Sequence, residues 1–207
     1  AIVGRDDYVI VDRDDHAIIV DGCRLALGEM KRFKHNDARD LARVLASLPA
    51  ERGKRVVVDG FFSMGGDIAS LQEYIPICQR YGARLMVDDA HSIGILAHGR
   101  GTAAHFGVTN DVDLIMCTFS KAFASLGGFI AGAEEVIFYI KHSARPFIFS
   151  ASMPPSNTAA ALAALKIMRE EPERCERVIQ NAARVRTGLT SLGFNTGQSQ
   201  TPIVPVI

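Results

Sequence analysis

The stretch LIMCTFSKAFASLGGF, residues 114–129, joins an apolar run to a polar, glycine-containing segment with a single lysine. Leu114–Cys117 has the composition of a buried strand, and Lys121 follows shortly after it. Lysine is rarely buried unless its amine is paired or used covalently, and burial favours the neutral amine that forms Schiff bases. The segment therefore predicts a ligand site at a strand end, although a lysine on a surface loop is the more common explanation when the segment is taken alone.

The rest of the chain alternates short apolar runs with helical patterns, which is typical of a parallel sheet with crossover helices. Residues 38–48 and 69–81 are predicted to be helical, and in the second segment Leu71, Ile75 and Cys78 fall on one face. The predicted strands are Tyr8–Val11, Val56–Asp59, Leu85–Asp88, Leu114–Cys117 and Phe129–Ala131. The sequence therefore predicts an α/β fold with a mostly parallel sheet.

A change of pattern near residue 155 predicts a second structural unit. Residues 1–170 are assigned to a major domain that ends in an Ala-rich helix, broken at Glu171–Pro172. Residues 171–207 are predicted to begin a smaller α+β domain, with a charged helix followed by a turn and a strand in GFNTGQSQTPIVPVI. Because the chain starts without methionine in a strand-like run and stops in an apolar segment, we expect it to be the middle of a longer polypeptide.

The overall composition argues against several kinds of partner. The 207 residues carry 23 Lys plus Arg and 23 Asp plus Glu, so no basic excess points to nucleic acid. No run approaches the roughly 20 apolar residues of a membrane helix, so no membrane span is predicted. The four cysteines lack zinc-ligand spacing and are interpreted as thiols of a reducing compartment. A cytoplasmic protein without a metal site is predicted.

Polar side chains follow three of the predicted strands, at the edge where open α/β sheets bind ligands. Ser63 lies in a glycine-containing turn and, taken alone, is more simply a turn hydroxyl. Asp88 and His91 follow a buried strand, and their alternative interpretation is a structural Asp–His pair. The full set at this edge is Ser63, Asp88, His91, Thr118 and Lys121.

An aldehyde cofactor with a pyridine ring and a phosphate would use the whole set. Lys121 would form the imine, Asp88 would keep the ring nitrogen protonated so that the ring accepts electrons, and Thr118 would contact the phosphate. The residues together therefore predict pyridoxal 5'-phosphate as the cofactor.

A family resemblance rests on motifs that occur in a fixed order along nearly the whole chain. The motifs DGFFSMGGDIA, VDDAHSIG, GRG, TFSKAFASLGGF and FSASMPP resemble those of the α-oxoamine synthases, a branch of the fold-type I pyridoxal phosphate enzymes. The resemblance implies the aspartate aminotransferase-like fold. It also implies an acyltransferase that condenses an amino acid with an acyl-CoA thioester, usually with decarboxylation, and a homodimer with the cofactor site at the interface.

Within the family, the motif around Lys121 looks most like that of bacterial serine palmitoyltransferases. The alternatives are glycine C-acetyltransferase and 8-amino-7-oxononanoate synthase. Rivals from other classes are a fold-type I aminotransferase, a non-catalytic partner subunit, which typically lacks the lysine, and a dinucleotide-binding protein. The last would need a GxGxxG between strand and helix, which GRGTAAHFG does not supply.

The resemblance also implies a role for each matching residue. Lys121 matches the lysine that binds the cofactor and later moves the Cα proton. Asp88 matches the partner of the pyridinium nitrogen, and His91 and Ser63 match the groups that bond the ring hydroxyl oxygen. Each of these implied roles agrees with the chemistry that the residue types suggest.

Two further assignments, those of His16 and Ser150, depend on the resemblance alone, and the resemblance also supports the assignment of Thr118. His16, in VDRDDHAIIVDG, matches the histidine that stacks on the cofactor ring, whereas an isolated histidine there would be interpreted as a surface residue. Thr118 matches a phosphate ligand, and Ser150 matches the hydroxyl that reaches the phosphate in the neighbouring subunit.

The chain departs from the family pattern around His16. The family usually has Asn-His-Ala-Ser where this chain has Asp15-His16-Ala17-Ile18, so a neutral amide and a hydroxyl are lost beside the ring. This difference puts the local substrate contacts in doubt more than the imine chemistry. The family's upstream glycine-containing phosphate turn and downstream carboxylate-binding arginine have no counterpart in the sequence.

Overall fold

A six-stranded sheet forms the centre of the computed structural model, which describes all 207 residues. The strands run in the order β2-β1-β3-β4-β5-β6, with β6 antiparallel to β5 and every other pair parallel. Their bounds are β1 (Tyr8–Asp12), β2 (Glu29–Phe33), β3 (Lys54–Asp59), β4 (Ala83–Asp88), β5 (Leu114–Thr118) and β6 (Gly128–Gly132). The predicted α/β class with a mostly parallel sheet is confirmed.

Eight α-helices and one 3₁₀ turn, Thr109–Asp111, complete the fold. The helices are α1 (Ala17–Leu25), α2 (Ala38–Ala46), α3 (Leu71–Arg80), α4 (Thr102–His105), α5 (Glu134–Ser143), α6 (Arg145–Ile148), α7 (Pro155–Glu170) and α8 (Glu173–Ser191). The two helices predicted at 38–48 and 69–81 are confirmed within two residues at each end. None of the helices combines the length and apolar character needed to cross a membrane.

The main core lies between the sheet and the helices α2 and α3. Ile10, Val56, Val58 and Leu85 from the strands are almost fully buried against residues that include Leu41, Leu45 and Tyr74. Burying one such apolar side chain contributes about 1.5–3 kcal/mol. Strands β1 and β3 are covered on both faces and are therefore mainly apolar in sequence, which made them predictable.

Strand β2 was not predicted, because its sequence EMKRF carries three charges. It pairs with β1 in parallel and forms one edge of the sheet, where charged side chains protect against pairing with another chain. Only Phe33 at its end is buried.

The strand predicted near the end of the chain is wrong. Residues 202–207 form no strand, since Pro202 and Pro205 have no N–H to donate to a ladder. The segment before them instead attaches to the loop after β3, where Gln200 N donates to Gly66 O at 3.0 Å. The division of the chain into domains after residue 170 stays a prediction.

Candidate active site

The carboxyl ends of three parallel strands bring the predicted residues to one edge of the sheet. Asp59 and Asp88 are register partners at the ends of β3 and β4. Asp88 is in turn the register partner of Met116, two residues before β5 ends at Thr118. The central carboxylate of the edge is therefore Asp88, with the Thr118 turn on one side and Asp59 on the other.

The two adjacent aspartates at the end of β4 have different partners. Asp89 is fully buried and both of its oxygens are used, since Ser92 Oγ donates to one at 2.5 Å and Thr102 N to the other at 3.0 Å. Asp88 accepts only from Ala90 N, at 3.0 Å, and no protein donor reaches its second oxygen. Asp88 is therefore the carboxylate available to a ligand, and Asp89 holds the loop between β4 and α4 in place.

Four ionisable groups at this edge act on one another electrostatically. Burial raises the pKa of Asp88, against the opposing effects of the Ala90 N–H and the charges of Lys121 and His16. Burial lowers the pKa of His91 to about 4, and the charges of Lys121 and His16 act in the same direction. The structure thus brings these four predicted residues together, with His91 a neutral imidazole at neutral pH.

The turn that carries Lys121 is fixed by close packing. Phe123 is buried with Cys117 of β5 and anchors the turn from beneath. Gly94 has φ +82°, and a Cβ there would lie 2.4 Å from the Cβ of Ala122, so the loop after His91 and this turn meet at a glycine. The side chain of Lys121 is exposed, because the residue lies in the turn beyond the strand end.

His16 lies at the start of α1, where its Nδ1 accepts from Ile18 N at 3.2 Å. The backbone N–H of His16 donates to Asp59 Oδ2 at 2.7 Å, while the imidazole ring remains exposed. Burial, together with the charge of Asp88, raises the pKa of Asp59 to about 7. The sequence predicted no role for Asp59, although it begins the DGFFSMGGDIA motif.

Asp15 is a second residue of this region that sequence reasoning did not assign. It is buried, and its two oxygens accept from the backbone N–H groups of Asp12 and Asp59, each at 2.8 Å. Burial raises its pKa to about 9, with the nearby charges of Asp59 and Asp12 acting in the same direction. The residue that departs from the family pattern therefore ties β1 to β3 directly beneath His16.

The three predicted hydroxyl residues are placed differently. Thr118 Oγ1 lies 2.8 Å from Ser120 Oγ and accepts from Ser120 N at 3.1 Å, at the start of the Lys121 turn. Ser63 is half-buried in the loop after β3. Ser150 is exposed in the segment between α6 and α7, and the structure does not bring it to the other site residues by any hydrogen bond.

The donor set fits a pyridine aldehyde phosphate. A carboxylate with one unused oxygen suits a protonated ring nitrogen, a neutral imidazole can donate to a ring oxygen, and an exposed amine is accessible to an aldehyde. A cavity of about 810 Å³ lies nearby between the Lys121 turn and α7, lined by apolar side chains such as Phe119, Phe123 and Leu162. Its lining includes none of the four coupled groups, so this cavity and the candidate site are distinct.

An α/β sheet that presents an amine, a buried carboxylate and two imidazoles at its carboxyl edge defines a protein with a ligand site at that edge. The chain belongs to the aminotransferase class I and II family, whose model matches residues 1–207.

Its relatives include members of the branch that the motifs resemble, and that prediction is confirmed. The chain is 50% identical over 206 residues to a serine palmitoyltransferase of Sphingobacterium spiritivorum, covering 99% of this chain and 52% of the relative. It is 46% identical over 208 residues to an 8-amino-7-oxononanoate synthase of Thermosipho melanesiensis, covering 100% and 53%. The chain thus spans about half the length of these curated relatives.

Solved structures confirm the predicted fold. The serine palmitoyltransferase of Sphingomonas wittichii superposes with a TM-score of 0.93 at 38% identity, over 99% of this chain and 51% of that chain. A structure of SPT with pyridoxal phosphate as an internal aldimine superposes with a TM-score of 0.94 at 38% identity, over 99% and 52%.

Proposed function

We propose that the protein is a pyridoxal 5'-phosphate-dependent acyltransferase that condenses an amino acid with an acyl-CoA thioester to give an α-oxoamine. The observation that carries this proposal is Asp88, a buried carboxylate with one unused oxygen at the sheet edge. It lies between Asp59, which binds the backbone of His16, and the end of β5, which leads to Lys121. Relatives named serine palmitoyltransferase and 8-amino-7-oxononanoate synthase support it, and the 50% identity to the former favours a serine palmitoyltransferase-like activity.

The cofactor, when bound, supplies an electron-accepting ring that stabilises negative charge on the carbon next to the substrate amine. The unused oxygen of Asp88 would hold the proton on the ring nitrogen, and the neutral His91 would donate its single N–H to the ring oxygen. The exposed ring of His16 would contact the cofactor ring. Lys121 Nζ would hold the aldehyde carbon, and the same amine, once the substrate amine had replaced it there, would accept the substrate Cα proton.

The hydroxyl residues are proposed to complete the site. Ser63 is a second partner of the ring oxygen and Thr118 a ligand of the phosphate. Ser150, exposed between α6 and α7, reaches the phosphate of a second subunit, so that the protein acts as a homodimer. All four cysteines are free thiols, which agrees with a cytoplasmic location.

The lysine assignment is tested with Lys121→Ala and a matched control, Lys141→Ala, which removes an exposed lysine of α5. We expect the whole wild-type protein and the control to absorb visible light with pyridoxal phosphate. After borohydride reduction, the cofactor mass should lie on the peptide that contains Lys121. An unchanged spectrum in the Lys121→Ala variant would reject the assignment.

The reaction is tested by thiol release. Serine, glycine and alanine are each paired with acetyl-, pimeloyl- and palmitoyl-CoA, and free CoA is measured. We expect release only when both substrates are present, with serine and palmitoyl-CoA the best pair. Amine transfer to a keto acid without thiol release would instead identify an aminotransferase.

A further inference from the structure

His35, two residues after β2, joins two loops that carry candidate site residues. Its Nδ1 lies 2.9 Å from Asp12 Oδ1, and its Nε2 lies 3.0 Å from Asp67 Oδ2. The contact with Asp12 is a hydrogen bond, and the contact with Asp67 is at ion-pair distance. Because ionised carboxylates on both sides of the ring favour its protonated form, the arrangement favours an imidazolium between two carboxylates.

The two carboxylates belong to the two sides of the candidate site. Asp12 ends β1 and begins the turn that leads to His16. Asp67 lies in the loop between β3 and α3, the loop that carries Ser63. Phe62, adjacent to Ser63, packs edge-on against the His35 ring with 4.5 Å between ring centroids. His35 therefore contacts the turn on one side and the loop on the other.

Asn36 repeats the same connection with neutral groups. Its N–H donates to Asp12 Oδ2 at 2.7 Å, and its side-chain amide donates to Asp67 Oδ2 at 3.2 Å and to Ile68 O at 2.9 Å. Its φ of +47° lies in the left-handed region, which asparagine adopts more readily than most residues other than glycine. His35 and Asn36 therefore contact the same pair of carboxylates, Asp12 and Asp67.

The charged groups facing His35 are all acidic. Asp12 and Asp14 face it from the turn after β1, with Asp14 Oδ2 at 3.8 Å from Nδ1, and Asp67 faces it from the loop after β3. Burial by itself lowers the pKa of His35, but the hydrogen bond to Asp12 and the charges of the three carboxylates outweigh it. The net effect is a pKa raised above 6.5.

We propose that His35 is a positioning residue of the cofactor site, whose imidazolium clamps the Ser63 loop to the His16 turn. This inference rests on the proposed function. The His35 imidazolium is fully protonated below the ordinary pKa of histidine, and its charge is lost as the pH rises through the raised pKa. Cofactor affinity should fall with it, since the groups on the two sides of the ring are then held only by the neutral contacts of Asn36.

The test compares His35→Gln with wild type in the whole protein, with His105→Gln as control because His105 is exposed. The dissociation constant for pyridoxal phosphate is measured by absorbance titration from pH 6 to 9. We expect His35→Gln to bind about 10-fold more weakly at pH 6, the order of one charge-assisted hydrogen bond, and the ratio to approach one at pH 9. The ratio for His105→Gln should stay at one throughout.

A pH-dependent ratio separates positioning from a purely structural role, because general loosening would weaken binding equally at every pH. Should His35→Gln fail to fold, Asp67→Asn replaces it. That variant keeps an acceptor for Nε2 but removes the charge, and the His35 pKa, followed by NMR, should fall relative to wild type. A flat ratio, or an unchanged His35 pKa in Asp67→Asn, overturns the clamp while leaving the proposed function in place. Absence of cofactor binding by wild type overturns both.

Discussion

The two adjacent aspartates at the end of β4 have different roles because their hydrogen-bond partners differ. Asp89 accepts hydrogen bonds from Ser92 and Thr102, and these bonds offset the free-energy cost of burying its carboxylate. Asp88 is also buried but has one oxygen without a protein donor. Burying a carboxylate without full hydrogen bonding costs free energy, and a cationic ligand would recover it.

Asp88→Asn tests this assignment at the level of a single atom. Asparagine keeps an acceptor for Ala90 N but cannot hold a proton on a ring nitrogen, so we expect near-normal cofactor binding. Exchange of the substrate Cα proton with D₂O, followed by NMR, should slow by about 100-fold or more, the usual contribution of a positioned acid or base.

Asp111→Asn serves as the control, because Asp111 is exposed in the 3₁₀ turn. Exchange at the wild-type rate in Asp88→Asn would contradict the role of Asp88 as partner of the ring nitrogen.

The residues that sequence reasoning found and those that it missed differ in the kind of partner they have. Lys121, Asp88 and His91 follow apolar runs, so their position at strand ends is visible in the sequence. Asp15 and His35 act through distant groups, the N–H of Asp59 in one case and the carboxylate of Asp67 in the other. Only the folded chain brings such partners together, and no local pattern indicates them.

At the scale of the elements, the site depends on two loops that pack against each other at Gly94. The glycine combines φ +82° with a missing Cβ that would lie 2.4 Å from the Cβ of Ala122. Any side chain at this position would be strained and would also push against the turn that carries Lys121.

Gly94→Ala should therefore destabilise the protein more than a substitution whose only effect is backbone strain. Gly107 is a matched control, since it has φ +71° but open space where a Cβ would be. We expect Gly107→Ala to lower the free energy of unfolding by about 1 kcal/mol and Gly94→Ala by about 1–3 kcal/mol more, measured by urea unfolding. Equal losses in the two variants would show that the loops do not press on each other.

The strands of the sheet were predictable where their sequences are apolar runs. The strands β1, β3, β4 and β5 are buried or partly buried and β6 is largely exposed, and each of the five was predicted within two residues of its observed ends. Strand β2 and helix α1 were not predicted, since one is a charged edge strand and the other has glycine in its middle. The side chain of His16 caps the N-terminus of α1, and the sequence identified this residue only through the family resemblance.

At the scale of the whole molecule the net charge is zero, but buried aspartates are concentrated at one edge of the sheet. Five buried carboxylates lie at or just after the carboxyl ends of β1, β3 and β4: Asp12, Asp15, Asp59, Asp88 and Asp89. Burial raises the pKa of Asp15 to about 9, that of Asp59 to about 7 and those of Asp88 and Asp89 to a lesser extent. The site edge therefore retains protons that the unfolded chain would release.

This retention gives stability a definite dependence on pH. A carboxyl group with a raised pKa binds its proton in the folded state while the unfolded chain has lost it, so the free energy of unfolding falls as the pH rises between the two pKa values. Above pH 7, Asp15 remains within that interval and Asp59 has largely left it. We expect a slope of about −1.4 kcal/mol per pH unit from this one proton, ending near pH 9.

Asp15→Asn should remove that slope, because the amide does not titrate, whatever its effect on stability at pH 7. Asp111→Asn is the control, since Asp111 is exposed in the 3₁₀ turn before β5. Urea unfolding at pH 7.5 and 8.5 measures both variants against wild type. A wild-type slope that persists in Asp15→Asn would place the retained proton on another group of the cluster, with His35 the next to test because its raised pKa acts in the same direction.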